Sequence, residues 1–305
     1  MPQPQATLRR PYPAHGAVRL PIGPIVRACR PRQWVKNAVV ALGPAAGGEL
    51  TEPGVAGRLL AVGIAFCLLS SATYLVNDVR DREQDRLHPR KRLRPVASGL
   101  LVPAVAIRTA VVLAAAGLAL SASVGGAVAL TGVCYLLLTS SYSLLWRRIV
   151  VADLLAVSLG FGLRAIAGAQ AAGQSLPGAL FAVAVALALF LVAGKRHAEL
   201  LASGSRGATR STLGRYSKGL LRWLLIVAAA TALAAYCRWA FAESWLNPLA
   251  ELSALPFMLC LVRYATLLRA GAGEAPDELV FADRTLLVLA AAWACLFMGG
   301  LYGGP

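Results

Sequence analysis

Nine apolar runs, separated by short polar or charged segments, make up most of the chain beyond residue 24. They lie near residues 35–50, 59–77, 102–121, 125–142, 150–170, 178–193, 223–242, 248–268 and 280–302. Each approaches the ~20 residues that a helix needs to cross a bilayer core. The pattern predicts an all-α, polytopic membrane protein, a single bundle of nine transmembrane helices over residues 25–305. Residues 1–24 carry Pro2, Pro4, Pro11, Pro13, Pro21 and Pro24 and several Arg, and are expected to form a disordered cytoplasmic tail. No long apolar core of a cleavable leader is present there.

The polar segments sharpen this picture. Those after the second, fourth, sixth and eighth runs hold most of the charge, whereas the opposite ones are nearly bare of Lys and Arg. The positive-inside rule then places the N-terminus and the charged loops on the cytoplasmic side of the plasma membrane.

Composition agrees: of 305 residues, 58% are hydrophobic and 14% charged, with a mean hydropathy of +0.64. The net charge of +16 would suggest nucleic acid in a soluble protein. Here the bases sit between apolar runs, where topology already accounts for them, so no nucleic-acid partner is expected. The six cysteines show no C-x-x-C spacing and the three histidines are dispersed, so no zinc or haem site is visible.

Candidate chemistry begins in Tyr74–Gly99, YLVNDVRDREQDRLHPRKRLRPVASG, where dense charge abuts the end of the second run. Asn77, Asp78, Asp81 and Asp85 follow an N-D-x-x-D-x-x-x-D pattern, which on a continuing helix places the oxygen-bearing side chains on one face. Hard oxygen ligands so placed suit Mg²⁺ carrying a diphosphate. A positive juxtamembrane loop is the plainer reading, but it needs no acids at helical spacing. Lys91, Arg92 and Arg94 follow and are candidates to hold the same phosphates from the other side.

Further polar groups recur near the same membrane face. Lys36 lies one turn inside the first run, where snorkelling to the surface is an alternative. Tyr142 ends the fourth run and Arg147 follows it. Asp153 and Arg164 lie eleven residues apart in the fifth run, about 16 Å along a helix, too far to pair directly. Separate polar partners or one extended polar substrate are therefore required, since either charge is costly against lipid. Lys195 and Arg196 close the sixth run after Gly194, which would let a phosphate approach the backbone.

Nine predicted helices, the acidic motif after the second, and the basic Arg90-Lys-Arg-Leu-Arg-Pro95 behind it together resemble the UbiA-type intramembrane prenyltransferase superfamily. Within it, the resemblance is to the decaprenyl-phosphate phosphoribosyltransferases of actinobacteria. It rests on Arg30-Pro-Arg-Gln-Trp-Val-Lys-Asn37, Tyr74-Leu-Val-Asn-Asp-Val-Arg-Asp81, Leu163-Arg-Ala-Ile-Ala-Gly168 and Val192-Ala-Gly-Lys-Arg-His-Ala-Glu199. Superfamily members usually carry a second D-x-x-x-D motif after the fourth helix, whereas this chain has Tyr142-Ser-Leu-Leu-Trp-Arg-Arg148 and a single Asp153.

The resemblance implies transfer of 5-phosphoribose from phosphoribosyl pyrophosphate to decaprenyl or another polyprenyl phosphate, releasing pyrophosphate for cell-wall arabinan precursor synthesis. Mg²⁺ on Asn77, Asp78, Asp81 and Asp85 would stabilise the departing diphosphate. Lys91, Arg92 and Arg94 would take up its remaining charge. Lys36, Arg147, Arg164, Lys195 and Arg196 would gather the other phosphates, with Tyr142 beside them and Asp153 positioning a ribose hydroxyl or a cation. Two alternatives stay open: a polyprenyltransferase with a prenyl diphosphate donor, and a transporter whose intramembrane charges mark an ion path. Homo-oligomers are compatible with the sequence.

Overall fold

The computed structural model describes residues 22–143, 149–203, 216–242, 248–271, 279 and 282–303. Among them there are helices and turns but no strand. The helices are α1 (Ile22–Cys29), α2 (Leu42–Ala46), α3 (Val55–Arg80), α4 (Arg82–Leu87), α5 (Pro103–Val124) and α6 (Gly126–Ser141). They continue as α7 (Val150–Ala171), α8 (Gly178–Ser203), α9 (Lys218–Ala242), α10 (Pro248–Leu252), α11 (Ala254–Arg269) and α12 (Arg284–Tyr302).

Among the described residues, seven helical stretches are long and apolar enough to cross a membrane: α3, α5, α7, α8, α9, α10 with α11, and α12. The 16-residue α6 is a shorter apolar helix. The chain is a multi-pass membrane protein. The first expected span, 35–50, differs from a plain membrane helix: Pro31–Ala41 is a 3-10 helix of 11 residues that passes into the short α2. Such a long 3-10 run is uncommon and needs outside support. Gly168 of α7 provides it, because a Cβ there would sit 1.6 Å from the carbonyl oxygen of Val40. Backbone therefore packs on backbone, and the first segment is pressed into the bundle at Gly168, where α7 has no side chain in the way. The expected tail boundary at 24 also shifts, since α1 already starts at Ile22.

Two larger apolar clusters hold the bundle together. One joins α8, α9, α11 and α12 through Phe190, Tyr236, Trp239, Phe257, Tyr264 and Phe297. The other joins α3, α6 and α7 through Val62, Phe66, Leu69, Tyr135 and Ala167. A third, built on Leu75, Val96 and Leu101, anchors α1 and the segment after α4 against α3 and α5. Between the first two lies a cavity, and around it gather the C-terminal ends of α3, α6 and α8.

Candidate active site

The acidic stretch is not one uninterrupted helix. α3 ends at Arg80, Asp81 has φ −88° and ψ 3°, and α4 restarts at Arg82. Backbone bonds from Asp81 to Asn77 and from Asp85 to Asp81 bridge the interruption, and all three aspartates are buried. Their oxygens meet cations of the protein itself. Arg94 Nη1 donates to Asp85 Oδ2 at 2.6 Å and to Asp78 Oδ1 at 3.2 Å. Arg30 Nη2 donates to Asp78 Oδ1 at 2.5 Å. Arg94 thus grips the aspartates, and neither it nor Lys91 or Arg92 borders the cavity.

Arg30 was not singled out from its sequence context, yet its position is specific. It has φ 55° and ψ 63°, the left-handed region, which for a residue with a Cβ costs about 1–2 kcal/mol. That turn lays its guanidinium 4.8 Å over the Tyr74 ring and against Asp78. The only hint in the sequence is the Pro that follows, since Pro31 starts the next helix and denies Arg30 the α conformation.

The cavity has a volume of about 780 Å³. Of the expected residues, Lys36, Asn77, Tyr142, Arg164 and Lys195 line it, joined by Arg32. Its described lining includes these four cations and no carboxylate. Arg164 is its fixed point, at 5% exposure. Nε donates to Asn37 Oδ1 at 2.7 Å, Nη1 to the Gly160 carbonyl at 2.8 Å and Nη2 to Tyr135 Oη at 2.9 Å. The Tyr135 ring lies 4.7 Å from the guanidinium carbon. Asn37 is held in turn by its Nδ2, which donates to Cys67 Sγ at 3.1 Å. Neither Tyr135 nor Asn37 was among the residues expected at the site.

Asp153 and Arg196 stand behind the cavity wall. Arg196 Nη2 and Nε donate to Asp153 Oδ2 at 2.7 and 3.1 Å, and Tyr142 donates its hydroxyl proton to Asp153 Oδ1. Tyr216 adds a longer bond of 3.4 Å to Oδ2. Burial, with the Asp153 carboxylate beside it, pushes the Tyr216 phenol up to about 12. Asp153 and Arg164 therefore have separate partners, and Asp153 holds Tyr142 and Arg196 in place instead of facing the cavity. Gly194 also differs from its expected role: a Cβ there would meet Leu268 Cδ1 at 2.8 Å, so it serves helix packing. Arg147 lies outside the described residues.

Divalent-metal fit rests on Asp78. Its Oδ2 is buried with no hydrogen-bond partner. Among the described residues no group of three or more His, Cys, Asp or Glu is arranged to hold a metal. A resident cage is absent from that set, but Mg²⁺ is commonly held by one or two carboxylates together with substrate phosphates. Asp78 with neighbouring Asn77 fits an ion that arrives on a diphosphate.

A second, apolar groove of about 380 Å³ runs on from the cavity between Val39, Leu42, Leu187, Trp293 and Phe297, sharing Phe161, Ala188 and Leu191 with it. A chamber bearing four cations thus adjoins an apolar groove, with three side chains common to both walls.

Comparison with known proteins places this geometry. Residues 38–286 match the sequence model of the UbiA prenyltransferase family. A decaprenyl-phosphate phosphoribosyltransferase of Corynebacterium glutamicum is 39% identical over 291 residues, 92% of this chain and 87% of that protein. One from Mycolicibacterium smegmatis is 34% identical over 305 residues, 95% of this chain and 96% of that protein. Among solved structures, a UbiA homolog from Archaeoglobus fulgidus bound to DMAPP and Mg²⁺ superposes with a TM-score of 0.71 at 15% identity, covering 92% of this chain and 98% of that one.

Proposed function

The chain belongs to the UbiA prenyltransferase family, and from that premise we propose that it transfers 5-phosphoribose from phosphoribosyl pyrophosphate to a polyprenyl phosphate, decaprenyl phosphate in the first instance. Pyrophosphate leaves. The observation that carries this reading is the adjacency of the two chambers: among the described residues four cations and no carboxylate line the first, and the apolar second shares Phe161, Ala188 and Leu191 with it. Two polyanions meeting head to head, one of them with a long hydrocarbon tail, match that shape and charge. The names of the relatives at 34–39% identity support the same substrates.

The bond that breaks joins ribose C1 to the diphosphate oxygen, and the bond that forms joins C1 to an oxygen of the lipid phosphate. A phosphomonoester is mostly dianionic at neutral pH, with its second pKa near ~6, so its oxygen needs no general base. Arg164, braced by Asn37 and Tyr135, holds one phosphate at a fixed height in the cavity. Lys36, Arg32 and Lys195 surround the others. Tyr142, whose proton is committed to Asp153, presents its phenolic oxygen as an acceptor for a ribose hydroxyl at the cavity wall. Asn77 and Asp78, with Asp81 and Asp85 behind them, would hold Mg²⁺, which supplies charge neutralisation on the departing diphosphate. The excess of Lys and Arg in the polar segments beside these groups supports a cytoplasmic position for the site, the side on which a soluble sugar diphosphate is available.

Purified protein in detergent, given phosphoribosyl pyrophosphate and decaprenyl phosphate, is expected to form lipid-linked phosphoribose with Mg²⁺ and to lose that activity in EDTA. Transfer from dimethylallyl or geranyl diphosphate to an aromatic acceptor, with no lipid-linked phosphoribose, would replace this reading by a conventional prenyl transfer.

A further inference from the structure

α8, α9 and α11 enclose another groove of about 780 Å³ that shares no lining residue with the catalytic chamber. Its walls are apolar, with Phe190, Ile226, Leu233, Met258 and Leu261 among them. Three basic side chains, His197, Arg222 and Arg269, line it as well. All three belong to one end: His197 lies toward the C-terminal end of α8, Arg222 in the second turn of α9, and Arg269 is the last residue of α11. Gly194 sets this convergence, because without a side chain it lets Leu268 and Tyr264 of α11 close on α8 one turn before His197.

His197 is the unusual member. It is 6% exposed, and neither ring nitrogen has a hydrogen-bond partner. A neutral imidazole always carries one N–H and one lone pair, and burying both unmatched is costly. Arg222 and Arg269 are exposed and form no ion pair among the described residues. From Arg222 to Leu233 the wall runs eleven residues, about 16 Å, close to half the ~30 Å hydrocarbon core. That is the reach of one acyl chain in one leaflet.

We propose that this groove binds an anionic phospholipid, its phosphate accepting from His197, Arg222 and Arg269 and one acyl chain lying along α9 and α11. The apolar walls argue against a free anion, which would leave them unused, and the basic rim argues against an uncharged or zwitterionic lipid. The site is separate from the transfer chemistry and would persist whatever the donor proves to be.

The test uses full-length protein stripped of lipid in detergent and titrated with dioleoyl phosphatidylglycerol or dioleoyl phosphatidylcholine, counting bound lipids by native mass spectrometry. One phosphatidylglycerol is expected to be retained in preference to phosphatidylcholine. A basic residue at a membrane surface contributes roughly five-fold to anionic-lipid affinity, so R222Q/R269Q should weaken phosphatidylglycerol about 30-fold and leave phosphatidylcholine unchanged. A230F, which fills the apolar groove and keeps both arginines, should weaken it too, and serves if the double variant does not stay monodisperse. Phosphoribosyl transfer in detergent should be unaltered in R222Q/R269Q. Equal retention of the two lipids, or unchanged phosphatidylglycerol binding in the variants, would overturn the proposal. So would displacement by millimolar inorganic phosphate, which would assign the site to a soluble anion, or preferential displacement by decaprenyl phosphate, which would make it a second acceptor-lipid site.

Discussion

Arg164→Lys keeps the charge in the cavity and removes the geometry. The wild-type guanidinium makes three hydrogen bonds, to Asn37 Oδ1, the Gly160 carbonyl and Tyr135 Oη, at 2.7–2.9 Å. A lysine ammonium arriving along the same helix can reach one or two of them, and it cannot stack its plane on Tyr135 as the guanidinium does at 4.7 Å. Each hydrogen bond to a charged donor is worth about 1.5–3 kcal/mol, and water from the adjoining cavity can replace part of what is lost. The expected net destabilisation is about 2–3 kcal/mol, read as a drop of several degrees in apparent melting temperature in detergent. The effect on transfer should be larger than a simple loss of affinity, because a ~1 Å displacement of a positioning group costs on the order of 100-fold in rate. The assay is lipid-linked phosphoribose formation at saturating phosphoribosyl pyrophosphate. Wild-type stability together with wild-type turnover in R164K would refute the idea that the fork geometry matters, leaving Arg164 as a mere positive charge.

Arg30 and Asp78 should behave as a coupled pair: a double-mutant cycle with R30Q and D78N is expected to return about 1–2 kcal/mol of interaction in apparent stability, discounted for the part-exposed arginine, whereas additivity would contradict the 2.5 Å contact. Gly168→Ala should abolish monodisperse expression because its Cβ would meet Val40 oxygen at 1.6 Å, while Gly126→Ala, with nothing within 4 Å, should be neutral; fluorescence-detected size exclusion distinguishes them. Tyr216 titrates later in the folded protein, at about 12 against an ordinary value of 10. The native state thus binds more protons than the unfolded one between those values, so stability should fall as pH rises from 10 to 12. Y216F should show a smaller fall in denaturation midpoints over the same window. D153N should lower turnover without abolishing lipid binding, because Asp153 acts through Tyr142 and Arg196; unchanged turnover would remove that network from the mechanism.

The sequence pattern carried the architecture further than it carried the site. Apolar runs of nearly constant length announce membrane helices because the bilayer sets the length, and Lys36, Asn77, Arg164 and Lys195 were legible because polar groups inside such runs are costly unless they face a cavity. The departures all come from tertiary contact. Nothing local in Val79-Arg-Asp-Arg82 ends a helix, so the break at Asp81 could not be read from spacing. The 3-10 form of Pro31–Ala41 depends on a bare patch of α7 at Gly168, more than a hundred residues away. Arg94 looked like a phosphate ligand by composition and instead holds two buried carboxylates. Tyr135 stood in an apolar run with no sign of the arginine that its hydroxyl would meet.

The central claim is that the lipid is the acceptor and the soluble sugar diphosphate the donor. It is tested most directly with phosphoribosyl pyrophosphate labelled differently on its 5-phosphate and on its pyrophosphate, incubated with decaprenyl phosphate and the purified protein. The account predicts that the 5-phosphate label moves into the organic phase while an equal amount of pyrophosphate label stays in water, with no release of either when the lipid is omitted. Pyrophosphate label in the organic phase, or pyrophosphate released from a prenyl diphosphate while phosphoribosyl pyrophosphate stays intact, would contradict it.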